Sequence, residues 1–272
     1  MNSVTLDQIR EFWDQAACGE KLLLPSMDRV GFERQAAERY RLEPFIINFA
    51  EFSSWHGKRV LEVGVGLGAD HQKFVEAGSI TTGVDLTPRA IELTKFRLSE
   101  FDLDSDLRIA NVESLDFPDE EFDLVYSWGV IHHSPDTPKA IEQIYQVLKP
   151  GGSTRIMIYH KWSLIGFMLW TRYGLLRLRP FTPLDEIYAT YLESPGTKAY
   201  SIDEASNLFA DFENVEIETV LSHGDLLSSG AGQHHAGFLL SIARKIWPRW
   251  FIRRFLKNHG LFMLIRADKP KK

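Results

Sequence analysis

Cysteine is nearly absent from this 272-residue chain. Cys18 stands alone, so no intramolecular disulfide can form and a reducing compartment is expected. No histidine motif lies beside Cys18, which therefore reads as an ordinary small residue rather than a nucleophile. Also missing is a basic start followed by an apolar core: MNSVTLDQIREFW does not resemble a secretory leader. No stretch reaches the roughly 20 apolar residues needed to span a bilayer. The longest candidate, Trp162 to Trp170, is bounded by Lys161 and Arg172. A cytoplasmic protein is expected, peripheral to a membrane at most. Internal repeats and low-complexity tracts are absent as well.

What remains is a length suited to one large domain, or one domain with an insertion. An apolar share of 44% is enough for a full core. The net charge of −6 is unevenly spread. From residue 240 onward ten Lys/Arg face only Asp268, a balance of +9, so the preceding residues carry −15. That asymmetry bears on surfaces and partners rather than on fold.

In chain order, 5–18 and 28–52 have helical spacing, the second bending near Pro44, and residues 1–57 form a helical cap. From 58 to 160 strands and helices alternate. Strands are expected at 59–64, 80–85, 107–111, 122–128 and 153–159, with helices at 70–77, 88–100 and 137–148. Asp136 or Thr137 caps the last helix, and Lys149-Pro150-Gly151-Gly152 ends it. Such alternation implies a parallel sheet covered on both faces. Residues 161–200 are rich in aromatics and prolines and read as a substrate-cap insertion. Within 201–272 a helix opens on a Ser201–Glu204 capping box, strands follow at 215–221 and 260–267, and a basic helical insertion occupies about 222–258.

The chemistry centres on Arg59–His71, RVLEVGVGLGADH, a strand that breaks into alternating glycines. A chain does this where its backbone passes close to a bound molecule. Gly64-x-Gly66-x-x-Ala69 fits a dinucleotide fingerprint; Glu62-x-Gly64-x-Gly66-x-Gly68 fits a different loop. Asp85, 21 residues after Gly64, ends the next strand and can accept from ribose hydroxyls in either case. Asn111 ends the third strand, where its side-chain carbonyl can accept from an adenine amino group while Val112 packs on the ring.

The run VLEVGVGLGADH, GVDLT, NVESLDFPDEEFDLVYSWGVIHHSPD and VLKPGG resembles the class I S-adenosylmethionine-dependent methyltransferases, closely over about 58–160. The resemblance implies a Rossmann-like α/β fold: a seven-stranded, mostly parallel sheet with helices on both faces, an antiparallel last strand and helical insertions. It implies S-adenosylmethionine as cofactor. Glu62, Gly64, Gly66 and Gly68 would hold its methionine part and Asp85 its ribose, with Leu86 in the same binding set. Asn111 and Val112 would face adenine, and Ser127 and Trp128 would line the floor. Asn111 stands where family members commonly carry Asp, which keeps an acceptor and loses a charge.

His132-His133 follow the fourth strand, at the carboxyl edge where such sheets bind ligands. A neutral imidazole suits removal of a proton from a methyl acceptor. Neither histidine is preferred as the base. A metal is not expected, because adjacent side chains generally point apart and no carboxylate–histidine spacing completes a site. The expected function is methyl transfer to an O or N of a small, apolar or aromatic molecule. The alternatives are a nicotinamide-dependent oxidoreductase, a lipid- or RNA-directed methyltransferase, and a non-catalytic binding module that keeps the fold. The basic aromatic stretch 238–257 is a candidate for peripheral membrane contact. Nucleic acid is disfavoured by the acidic remainder of the chain.

Overall fold

A computed structural model describes residues 4–228, 245 and 247–271. Four helices open the chain: α1 (Leu6–Gln15), α2 (Glu20–Leu23), α3 (Arg29–Leu42) and α4 (Phe45–Ala50). The alternating region follows as β1 (Arg59–Val63), α5 (Ala69–Glu76), β2 (Ile80–Asp85), α6 (Pro88–Glu100), β3 (Asp106–Ile109), β4 (Phe122–Trp128), α7 (Thr137–Val147) and β5 (Leu148–Tyr159). Then come α8 (Leu164–Tyr173), α9 (Leu184–Tyr191), α10 (Ile202–Leu208), β6 (Glu213–Val220), α11 (Arg249–Phe255) and β7 (Phe262–Asp268).

The seven strands form one sheet in the order β3-β2-β1-β4-β5-β7-β6. Pairings from β3 across to β5 are parallel, and β7 runs antiparallel to both of its neighbours. This is the expected Rossmann-like sheet with its last strand reversed. The central strands are apolar on both faces because both are covered. Successive residues separate cleanly: Leu61, Val125, Ile156 and Ile265 enter the core beneath α7 and α10. Val60, Leu124, Met157 and Leu264 pack on the other side, against α4 and Tyr188 of α9.

Local chemistry sets the helix starts. The Thr87 side chain accepts from Ala90 N with Pro88 in the first turn, and Asp136 accepts from Lys139 N ahead of Pro138. The Ser201–Glu204 capping box is present on both sides. Two expected boundaries move. The Lys149–Gly152 turn is absorbed into β5, where Leu148 pairs with Phe122 and Gly151 N donates to Lys269 O across an irregular register. The third strand ends at Ile109, because Asn111 leaves the ladder to form a turn: its Oδ1 accepts from Glu113 N.

The buried Arg97 fixes the N-terminal cap over the sheet. It donates to Phe32 O and Gln35 Oε1 of α3 and to Leu67 O of the glycine loop. Burial lowers this guanidinium to about 10, so it stays charged at neutral pH. Among the described residues no helix is long and apolar enough to cross a membrane.

Candidate active site

The chain runs outward from β1 through β2 to β3, then returns to place β4 on the other side of β1. At such a reversal the loops part and leave a crevice at the carboxyl ends of the strands. The glycine loop after β1 and the histidines after β4 both sit there. Gly64 adopts φ +85°, and a Cβ on it would lie 2.1 Å from Val130 Cγ2. Gly66, at φ +52°, has nothing within 4 Å of the position its Cβ would take, so backbone lies bare to the crevice. Asp85 locks this loop to the end of β2. Its Oδ2 accepts from Gly66 N at 3.2 Å, and its Oδ1 accepts from Thr87 N and Oγ1 at 3.0 and 2.9 Å. Burial raises its carboxyl above the usual range, against those hydrogen bonds.

The crevice is a cavity of about 220 Å³. Every cofactor residue expected from the sequence lines it except Ser127. Ser127 is fully buried inside the sheet, where its hydroxyl donates to Val63 O at 3.1 Å, so its side chain serves β1–β4 pairing rather than the cavity floor. His133 lines the cavity and His132 does not. Asn111 lines it too, with its carbonyl oxygen already accepting one backbone N–H. Of residues 161–200, only Glu193 reaches the cavity; α1 and α3 contribute far more of its wall.

Charged groups missing from the sequence reading shape the side of the cavity walled by α3 and α5. Arg39 of α3 holds Asp70 of α5 with Nε and Nη2 at 3.2 and 2.6 Å, and Tyr40 and Tyr126 each donate to the same carboxylate at 2.9 Å. Burial alone would raise Asp70; Arg39 and the two phenols hold it below the usual carboxylate range. Glu62 is buried with its Oε2 3.0 Å from His71 Nδ1, and burial pushes it well above a normal glutamic acid. Burial also lowers His71 to about 4, so it is neutral. Glu43 is pushed up to about 7 by burial, against the pull of Arg39. Five carboxyl groups (Glu43, Glu62, Asp70, Asp85 and Glu193) thus line the cavity against one guanidinium, Arg39, itself tied to Asp70.

The histidines occupy a short 3-10 turn, Ile131–His133. Contrary to the expectation that adjacent side chains diverge, their rings lie 4.2 Å apart, and His132 stacks 4.0 Å from Tyr159. His132 is fully buried, neither ring nitrogen has a hydrogen-bond partner among the described residues, and burial holds it well below the usual histidine range. His133 Nδ1 lies 2.8 Å from Ser194 Oγ and its Nε2 3.5 Å from Glu193 Oε2. Tyr159 donates to that same oxygen at 2.7 Å. In the tautomer whose Nδ1–H donates to Ser194, Nε2 carries the lone pair, and that nitrogen is buried beside Glu193. The ligand atoms of His132, His133 and Glu193 lie within 4.8 Å of one another, a donor set that metals also use. Cys18, an exposed residue, turns its sulfur toward Glu193 Oε1 at 3.9 Å.

Residues 61–156 match the family described as methyltransferase domain. The match runs from β1 into β5. Phosphoethanolamine N-methyltransferase 2 of Caenorhabditis elegans is 35% identical over 119 residues, 43% of this chain and 26% of that protein. The chain therefore spans about a quarter of that relative's length. Demethylmenaquinone methyltransferase of Tropheryma whipplei is 26% identical over 184 residues, 62% of this chain and 76% of that enzyme. A phosphoethanolamine N-methyltransferase 2 of Haemonchus contortus, solved with phosphomonomethylethanolamine and S-adenosylhomocysteine, superposes with a TM-score of 0.61 at 18% identity. That superposition covers 97% of this chain and 60% of that one. The methyltransferase domain thus has the class I fold, and the family resemblance read from the glycine loop and its following strands holds.

Proposed function

We propose that this protein binds S-adenosylmethionine in the cavity beside Gly64–Gly68 and transfers its methyl group to an O or N of a small molecule with an apolar or aromatic body. The observation that carries the reading is the lining of the cavity: among the described residues its one guanidinium, Arg39, is already tied to Asp70. A pyrophosphate would meet no free cation there, which favours a sulfonium cofactor over a nicotinamide dinucleotide. The bare backbone at Gly66 and the free acceptor capacity of Asp85 suit a ribose-bearing ligand that carries no phosphate.

S-adenosylmethionine, when bound, supplies a methyl group on a cationic sulfur that is open to in-line displacement. The chain's own residues hold the partners in line and move one proton. His133 Nε2 takes the proton from the acceptor, and Glu193 stabilises the imidazolium that forms. Tyr159 and Ser194 keep Glu193 and His133 in place. Leu6, Ile9, Trp13 and Phe262 supply apolar wall near these groups and exclude water. Of the acceptors in the relatives' names, a quinone-like ring fits this wall better than a phosphate ester, for which the cavity offers no free cation among the described residues.

Titration calorimetry with S-adenosylhomocysteine and, separately, NADH tests the reading. Binding of S-adenosylhomocysteine alone is expected; binding of NADH alone would end it.

A further inference from the structure

We propose that the tip of the α8–α9 insertion and the outer face of α11 form one docking surface for a lipid bilayer bearing anionic headgroups. Methyl transfer can be right or wrong without affecting this surface.

The tip is the run Leu175-Leu176-Arg177-Leu178-Arg179-Pro180-Phe181, in which every residue is exposed. Leu178 is 91% and Phe181 96% accessible, although side chains of this kind normally seek the core. The backbone holds them there: Arg179 N donates to Gly174 O, Thr182 N to Arg179 O, and Trp170 Nε1 to Pro180 O. On α11, Ile252 faces inward while Trp250, Phe251 and Phe255 stand outside. Phe255 lies 4.9 and 6.1 Å from the rings of Phe251 and Trp250. Exposed apolar surface on this scale marks an interaction site.

The two parts share a root. Asp225 accepts from Ile165 N of α8 through Oδ1, while its backbone oxygen accepts from Trp247 Nε1, just ahead of α11. The Trp162 carbonyl lies 3.1 Å from His259 Nδ1, joining the start of the insertion to the turn after α11. Residues 229–244 and 246, which hold part of the 238–257 stretch expected to meet a membrane, lie outside the described residues.

Charge names the occupant. Segments 160–184 and 226–267 contain no Asp or Glu, in a chain of net charge −6. Elsewhere several arginines pair with carboxylates, Arg29 with Glu33, Arg41 with Glu38, Arg89 with Glu20 and Arg108 with Asp106, although the exposed Arg10 and Arg34 form no ion pair among the described residues. Arg172, Arg177, Arg179, Arg253, Arg254 and Lys257 form no ion pair among the described residues. Several lie over rings instead, Arg177 over Tyr173 and Tyr191 and Arg254 over Phe255. Apolar side chains flanked by unpaired cations match the interface of an anionic bilayer, where rings and leucines enter the acyl boundary and guanidiniums meet phosphate. A second copy would bring like charge to like charge, and a nucleic acid would leave the leucines without a partner.

Flotation of the full chain with phosphatidylglycerol–phosphatidylcholine vesicles tests this. Binding is expected at low salt, weakened by high salt and reduced by roughly tenfold or more on phosphatidylcholine alone. Leu178→Ser/Phe181→Ser and Arg177→Gln/Arg179→Gln should each weaken it by a similar factor, with circular dichroism and S-adenosylhomocysteine affinity unchanged. No flotation, or flotation indifferent to phosphatidylglycerol and to both double variants, would overturn the proposal. So would a dimer in light scattering that Leu178→Ser/Phe181→Ser dissolves.

Discussion

His133 Nε2 lies 3.5 Å from Glu193 Oε2, although α7, β5, α8 and α9 separate the two residues in the chain. Both residues line the cavity, as the proposed base and its charge partner. His133→Ala should lower kcat by roughly 10²–10⁴-fold while leaving S-adenosylhomocysteine affinity unchanged, as removal of a general base does. Glu193→Gln should lower kcat less, because Tyr159 and Ser194 still hold the geometry. Single-turnover rates with a labelled methyl donor measure both, and equal turnover in all three proteins would remove the base assignment.

Gly64 has no room for a side chain. A Cβ would meet Val130 at 2.1 Å, and the φ of +85° is strained for any L-residue. Gly64→Ala should weaken cofactor binding by tenfold or more and lower thermal stability. Val130→Ala in the same chain should restore part of the loss, as expected for residues in contact. Calorimetry on the four proteins of that cycle reads the coupling directly.

Asp85 positions the loop and lines the cavity, where the proposed cofactor would meet it. Asp85→Ala should cost about 1.5–3 kcal/mol of cofactor binding, the usual loss for hydrogen bonds to a charged group. Asp85→Asn should cost less, because its amide oxygen still accepts from either Gly66 N or Thr87 N, although its NH2 then faces the other donor. Unchanged affinity in Asp85→Ala would show that the ribose lies elsewhere.

Glu43 links stability to pH. Burial raises it from 4.5 to about 7, so the folded state binds a proton that the unfolded chain has already released. Its contribution is fully present below about pH 4.5 and is lost as pH rises through 7. Glu43→Gln should therefore gain on the wild type by a few kcal/mol between pH 4.5 and 7.5 in urea titrations. His71, lowered from 6.5 to about 4, acts in the opposite sense: its contribution is lost as pH falls through that window. The comparison with Glu43→Gln isolates the Glu43 part, since His71 is common to both proteins.

The donor set of His132, His133 and Glu193 calls for a separate check. Because Tyr159 and Ser194 already engage this group, dialysis against a chelator should change neither cofactor affinity nor turnover. Activity lost to the chelator and restored by zinc would make the three residues metal ligands.

What the sequence determined by itself is the central sheet and the cofactor loop, because both are written locally. Apolar runs at strand spacing, Thr87-Pro88 and Asp136-Thr137-Pro138 at helix starts, and glycines at positions 64 and 66 each have a short-range physical cause. Asp85, Asn111 and His133 were legible for the same reason: they lie at or just past the carboxyl ends of strands, and those ends in a parallel sheet converge on one edge. Ser127 was misjudged because the face a residue takes near a strand's end depends on which neighbour the strand pairs with. The partners of the histidines were invisible. Glu193 sits 60 residues beyond His133, in a segment without a motif, and Arg39 and Glu43 come from helices that precede the glycine loop. Only packing of those helices over the crevice brings the carboxylates and guanidinium together, and only burial shifts their proton affinities. The outward leucines and phenylalanine of the insertion belong to the tertiary structure as well, since composition alone assigns such side chains to a core.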